Sequence, residues 1–216
     1  MRTGLASQLL ADRSLVIVVS GPSGAGKTVV VDELCNRRRL RRSVSVTTRS
    51  PRVGELDGRD YHFTKAASFE RRIRDGGFAE WARYGPHYYG TPRAALDQAQ
   101  EAGEDIVLTI DVQGGAQIRA RYPEAVLVFM LPPDLDTLAQ RLRDRGSETD
   151  EAIGRRLEAL PDEIRAAAMY DYTVNNCGTV EQAAAAMNSI VEAEHMRMSS
   201  LRADRCARFQ LTESTQ

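Results

Sequence analysis

The stretch LVIVVSGPSGAGKT, Leu15–Thr28, decides the fold. Its first five residues are apolar, continuous and rich in β-branched side chains, the composition of a strand buried on both faces of a parallel sheet. From Gly21 to Thr28 it satisfies the spacing G-x-x-x-x-G-K-[ST], and the VVVDELCNR that follows reads as a helix. In that order of strand, turn and helix, the loop of Gly21, Pro22, Ser23, Gly24, Ala25 and Gly26 can converge its free backbone N–H groups on phosphate oxygens. It does so at a helix N-terminus, where the dipole adds favourable charge. Lys27 is spaced to reach the β and γ phosphates, and the Thr28 hydroxyl to ligate Mg²⁺. The loop therefore specifies a nucleoside triphosphate with magnesium and leaves the phosphate's destination open.

Working outward, buried-strand runs recur at DIVLTI (Asp105–Ile110) and AVLVFML (Ala125–Leu131), each followed by a helical pattern such as PDLDTLAQRLRDR. This alternation predicts a doubly wound α/β fold with a parallel sheet of the P-loop NTPase type, its ligands at the carboxyl ends of the strands. Residues 44–91 break the rhythm with a polar, aromatic and glycine-punctuated composition, and read as an inserted subdomain in a core made of 1–43 and 92–216. Residues 143–156, RDRGSETDEAIGRR, are nearly all charged or small and read as a short lid joining two helices. The tail after Ser199 is polar and expected to fray.

A net charge of −1 over 216 residues gives no global field to draw the chain onto nucleic acid or an anionic membrane. The RRRLRR run (Arg37–Arg42) lies at a helix end without interleaved aromatics, and is expected to be a solvated turn. Three scattered cysteines make neither a disulfide framework nor a zinc site. No run approaches the roughly 20 apolar residues of a membrane span or the form of a signal peptide. These features predict a soluble, cytoplasmic protein.

The inserted stretch carries SVSVTTRSPRVGELDGRDYHF (Ser43–Phe63) and EWARYGPHYYGT (Glu80–Thr91). With the phosphate loop, these strings resemble the guanylate kinase family, over about Leu15 to Met198. The resemblance makes 44–91 the GMP-binding unit and implies transfer from ATP to GMP, giving ADP and GDP, with Mg²⁺ as cofactor. By the same resemblance Arg49, Arg52, Tyr61 and Tyr89 hold the acceptor's phosphate, which suits the planar fork of arginine. Glu80 reads the base, and Ser45 and Thr91 reach the guanine carbonyl. The chemistry agrees: guanine offers N1–H and an amine as adjacent donors, and an ionised carboxylate offers two acceptors. Asp111, in LTIDVQG, matches an aspartate near the acceptor and the metal's water shell. The family's second aspartate, two residues earlier, is here Thr109, a departure that bears on the support of the metal or lysine.

QRLRDRGSETDEAIGRRL matches the family's lid, giving Arg141, Arg145 and Arg156 the task of stabilising charge in transfer, alongside Lys27. In YDYTVNN an asparagine is expected to touch the adenine of ATP; the register leaves Asn175 and Asn176 open and favours Asn176. Two other readings stand beside the kinase. A related P-loop kinase would act on another phosphorylated small molecule, and a non-catalytic guanylate-kinase-like module would only bind partners. The complete phosphate loop speaks against the second.

Overall fold

The computed structural model describes residues 14–144 and 150–197. At its centre β1 (Val16–Ser20) lies between β7 (Asp105–Thr109) and β8 (Val126–Leu131). With β2 (Leu40–Arg42) and β9 (Tyr172–Asn175) outside, they form a five-stranded sheet in the order β2-β7-β1-β8-β9. Every pairing is parallel, with Val19 opposite Thr109 on one side and Val128 on the other. Ile17 and Val19 enter a core shared with Val31 and Leu34 of α1 (Lys27–Arg37) and Met187 of α7 (Val180–His195). Val18 faces the opposite way, against Leu96 of α3 (Arg93–Glu101) and Ile118 of α4 (Val112–Arg121). Helices cover both faces of the sheet, which is why the run from Leu15 to Val19 is apolar at every position rather than at alternate ones.

The RRRLRR run differs from its expectation. Leu40 is buried, and Leu40–Arg42 pairs with β7 as an edge strand, where burial of one leucine and a parallel ladder outweigh the charge of its neighbours. Arg41 pairs with Glu104 at 2.8 Å and Arg42 with Asp32 at 2.9 Å, so the basic run is a set of ion pairs on a charged sheet edge.

Within residues 46–92 a second sheet forms, ordered β4-β3-β6-β5, from β3 (Val46–Thr47), β4 (His62–Phe63), β5 (Phe78–Tyr84) and β6 (His87–Pro92). Its small core is aromatic: Phe69 of α2 (Ala66–Arg74) stacks on Phe78 with ring centroids 4.3 Å apart and on Tyr88 at 5.2 Å. β5 is an edge of this sheet, and α4 closes it. The Gln117 amide donates to the Trp81 carbonyl at 2.8 Å and accepts from the Trp81 N–H at 3.2 Å, taking the place of a neighbouring strand. Leu138 and Leu142 of α5 (Leu135–Asp144) pack with Ile153 and Leu160 of α6 (Asp150–Ala166). Five residues of the expected lid, 145–149, fall outside the described residues, and Arg145 with them. Among the described residues no helix is long and apolar enough to cross a membrane.

Candidate active site

The phosphate loop runs between the end of β1 at Ser20 and the start of α1 at Lys27. Gly26 caps α1 with φ +90°, and a Cβ there would stand 2.4 Å from Asn176 Nδ2, so both backbone and space require glycine. That amide donates to the Ala25 carbonyl at 2.8 Å, while the Ala25 N–H closes a turn onto Pro22 at 3.1 Å. Asn176 is 4% exposed and braces the loop from behind; Asn175 is the exposed member of the pair, its Oδ1 2.6 Å from the Cys177 thiol. Lys27 folds back over the loop, donating to the Gly21 carbonyl at 2.6 Å and the Pro22 carbonyl at 2.8 Å. Thr28 is exposed in the first turn of α1. Arg141, in the last turn of α5, reaches the Gly24 carbonyl at 3.4 Å.

Asp111 follows β7 at the carboxyl edge of the main sheet. It caps α4, with Oδ1 accepting from the N–H groups of Gln113 at 2.7 Å and Gly114 at 2.9 Å. Its charge is felt by Glu80, Tyr84 and Glu163. Burial pushes the Glu163 carboxyl up, Lys27 and Arg156 oppose this, and Asp111 adds to it. Lys27, Asp111, Arg156 and Glu163 thus form one electrostatic group. The reading of the sequence did not single out Glu163, although it lies seven residues after Arg156 and so on the same face of α6. Burial, then Asp111, raises the Tyr84 hydroxyl. At the position of the family's second aspartate, the Thr109 hydroxyl oxygen is buried with no hydrogen-bond partner among the described residues.

Glu80 and Thr91 are brought together by the second sheet. Strand pairing sets Glu80 opposite Thr91 and Ala82 opposite Tyr89, and a β-bulge between Phe78 and Glu80 re-aims the carboxylate. On the other side Val46 faces Gly90, so the register carried one residue further sets Ser45 opposite Thr91. Ser45, Thr91 and Glu80 form a row, and Tyr89, two residues from Thr91, shares its face. Arg121 holds the bulge, donating to the Phe78 carbonyl at 3.0 Å and the Ala79 carbonyl at 2.5 Å.

Glu80 is 3% exposed. Burial pushes its carboxyl up to about 7; the hydrogen bond from Thr91 opposes this and Asp111 adds to it. Its Oε2 lies over the first turn of α4, where a Cβ on Gly114 would come within 2.7 Å. The Thr91 hydroxyl donates to Glu80 Oε1 at 2.6 Å. This bond ties Thr91, expected at the guanine carbonyl, to the carboxylate expected to read the base. In this structure Thr91 aims the carboxylate.

The residues expected around the acceptor's phosphate also converge. Arg49 Nη2 donates to both carboxylate oxygens of Glu55, at 2.8 and 2.9 Å. Its guanidinium lies 5.5 Å from the Tyr61 ring centroid, and the Tyr61 and Tyr89 rings are 6.1 Å apart, edge to face. The Arg52 N–H donates to Glu55 at 2.8 Å. The sequence reading passed over Glu55, Gly114, Gln117 and Arg121. The last three lie at i, i+3 and i+7 along α4, a spacing that marks one helix face, but nothing in the sequence says which strand that face meets.

The sequence profile of the family described as "Guanylate kinase" matches residues 13–194. A guanylate kinase from Thermus thermophilus is 46% identical over 185 residues, covering 86% of this chain and 84% of its own. One from Streptococcus thermophilus is 42% identical over 191 residues, covering 88% of this chain and 91% of its own. The crystal structure of guanylate kinase from Anaplasma phagocytophilum superposes with a TM-score of 0.72 at 30% identity, over 88% of this chain and 90% of that one. Profile, relatives and fold agree across the span that holds the phosphate loop, the Glu80 row and the Arg49 cluster, and the chain belongs to the guanylate kinase family.

Proposed function

We propose that the protein transfers the γ-phosphoryl group of ATP directly and in line to GMP, and also accepts dGMP. The observation that carries this reading is the buried Glu80 carboxylate, aimed by Thr91 and aligned with Ser45. When ionised, it meets guanine's N1–H and exocyclic amine with two acceptors. Adenine would turn the N1 lone pair toward the carboxylate, which supports rejection of AMP by as much as about 10⁴. Arg49, Arg52, Tyr61 and Tyr89 take the GMP phosphate. The incoming phosphate oxygen is already anionic, so no strong general base is needed and catalysis is positioning plus electrostatics.

On the donor side Gly21–Thr28 cradle the triphosphate, and the cations of Lys27, Arg141 and Arg156 meet charge on the moving phosphoryl group. Arg145 is assigned to the same task from its place in the lid motif. Adenine contact falls to the Asn175–Asn176 segment. Asp111 is assigned a place beside the acceptor. The exposed Thr28 hydroxyl is the oxygen that would hold Mg²⁺ arriving on ATP, and the cation would supply charge neutralisation to the triphosphate. The test is coupled ADP release with GMP, dGMP, AMP, UMP and ribose bisphosphate as acceptors. Strong preference for GMP and dGMP is expected. Preference for ribose bisphosphate would favour another P-loop kinase, and no turnover with any acceptor would favour a binding module.

A further inference from the structure

Glu55 stands among the residues assigned to the acceptor's phosphate without an assignment of its own. Arg49 and Arg52 are like charges three residues apart in one loop, and without a counter-anion they would splay into solvent. Glu55 supplies that counter-anion from within the loop. Its two carboxylate oxygens accept from Arg49 Nη2 at 2.8 and 2.9 Å, and one of them also accepts from the Arg52 N–H at 2.8 Å. The Glu55 N–H in turn donates to the Arg52 carbonyl at 3.1 Å, so the carboxylate is built into a closed turn rather than carried on a loose side chain. Arg49 is fixed from other sides as well: Nη1 donates to the Ser50 carbonyl at 2.6 Å and its backbone N–H donates to Thr47 Oγ1 at 3.2 Å. The Arg49 and Glu55 side chains are 14% and 18% exposed, well withdrawn from the screening that weakens surface pairs.

We propose that Glu55 is a positioning residue for acceptor binding: it holds the Arg49 guanidinium against Tyr61 and Tyr89, and keeps Arg52 in the same turn, before the acceptor's phosphate arrives. A fork already ordered loses less side-chain freedom when it binds its anion, and that difference appears as affinity. The alternative is that Glu55 is a stand-in anion that the phosphate must expel. The closed turn argues against this, because expulsion would break the Arg49 pair and the bond to the Arg52 N–H together. The two ideas predict opposite signs for one substitution.

The inference rests on the reading of Arg49, Arg52, Tyr61 and Tyr89 as the phosphate site, so the experiment carries a control for that reading. In Glu55→Gln, which keeps the shape and removes the charge, KM for GMP should rise about tenfold or more. The kcat at saturating GMP should stay within a few-fold, with KM for ATP unchanged. A merely structural role would lower the unfolding midpoint and move both substrates alike, so thermal unfolding is followed in parallel. Should the Gln variant fail to fold, Glu55→Asp, which keeps the charge on a shorter arm, should show the same split to a smaller degree. An unchanged or lowered KM for GMP overturns the proposal, and a lowered value identifies a competitor anion. Arg49→Met separates the two levels. If it raises KM for GMP while Glu55→Gln does not, only the role of Glu55 falls. If it too leaves KM for GMP unchanged, the phosphate-site reading falls with it.

Discussion

Glu80 is the residue whose chemistry and environment pull hardest against each other. The proposed reading of guanine requires an ionised carboxylate, while burial favours the neutral form and raises its pKa to about 7. The functional sign follows: below about 7 most of the free protein carries the neutral acid, so KM for GMP should fall as pH rises through that value, with KM for ATP nearly flat. A profile of KM for GMP that is flat from pH 5.5 to 8.5 would refute this. The stability sign is the opposite. A carboxyl raised in the folded state binds more protons there than in the unfolded chain, so its contribution is present below the unfolded value near 4.5 and lost as pH rises through about 7. Glu80→Gln removes this dependence. Its stability relative to the parent should grow by about 3 kcal/mol between pH 4 and pH 8, measured by denaturant unfolding at each pH. The same variant should lose most GMP turnover, by about 10² or more in kcat/KM, while ATP binding stays close to that of the parent.

At the scale of elements, α4 joins the two sheets. Its N-cap is Asp111, its first turn lies under Glu80, and Gln117 and Arg121 satisfy the polar groups of β5. Gly114→Ala would favour the helix by about 1 kcal/mol in isolation. Here the added methyl would meet Glu80 Oε2 at 2.7 Å, and the neighbours cannot yield without moving the carboxylate. We expect the second effect to win: kcat/KM for GMP should drop at least tenfold in coupled assay while KM for ATP holds. A variant with full GMP activity would show that the carboxylate has room to shift. Asn176 plays a comparable part between β9 and the phosphate loop. Asn176→Ala leaves the buried Ala25 carbonyl without its 2.8 Å donor, which should cost about 1–3 kcal/mol in thermal or denaturant unfolding and raise KM for ATP.

At the scale of the whole molecule, most residues proposed for the acceptor belong to the 46–92 unit and those proposed for the donor to the main-sheet unit, so the proposed transfer would bring the two together. GMP with a nonhydrolysable ATP analogue should reduce the radius of gyration measured by small-angle scattering, and an unchanged radius would sink this expectation. Lys27→Met should abolish transfer in the coupled assay. The sequence by itself determined the elements whose cause is local. The Leu15–Val19 run and its glycine-rich turn required a buried parallel strand and a phosphate loop, and the strings Val46–Tyr61 and Glu80–Thr91 marked the arginines and tyrosines proposed for the acceptor side. Only the tertiary structure decided what those residues do to one another. That Leu40–Arg42 is an edge strand, that Thr91 gives its proton to Glu80, that Glu55 holds Arg49, and that Gly114, Gln117 and Arg121 serve β5 all follow from strand register and helix placement. The physical reason is range: backbone preference and apolar periodicity act over a few neighbouring residues. A hydrogen bond between positions 36 residues apart, like that of Gln117 to Trp81, exists only once the whole chain has packed.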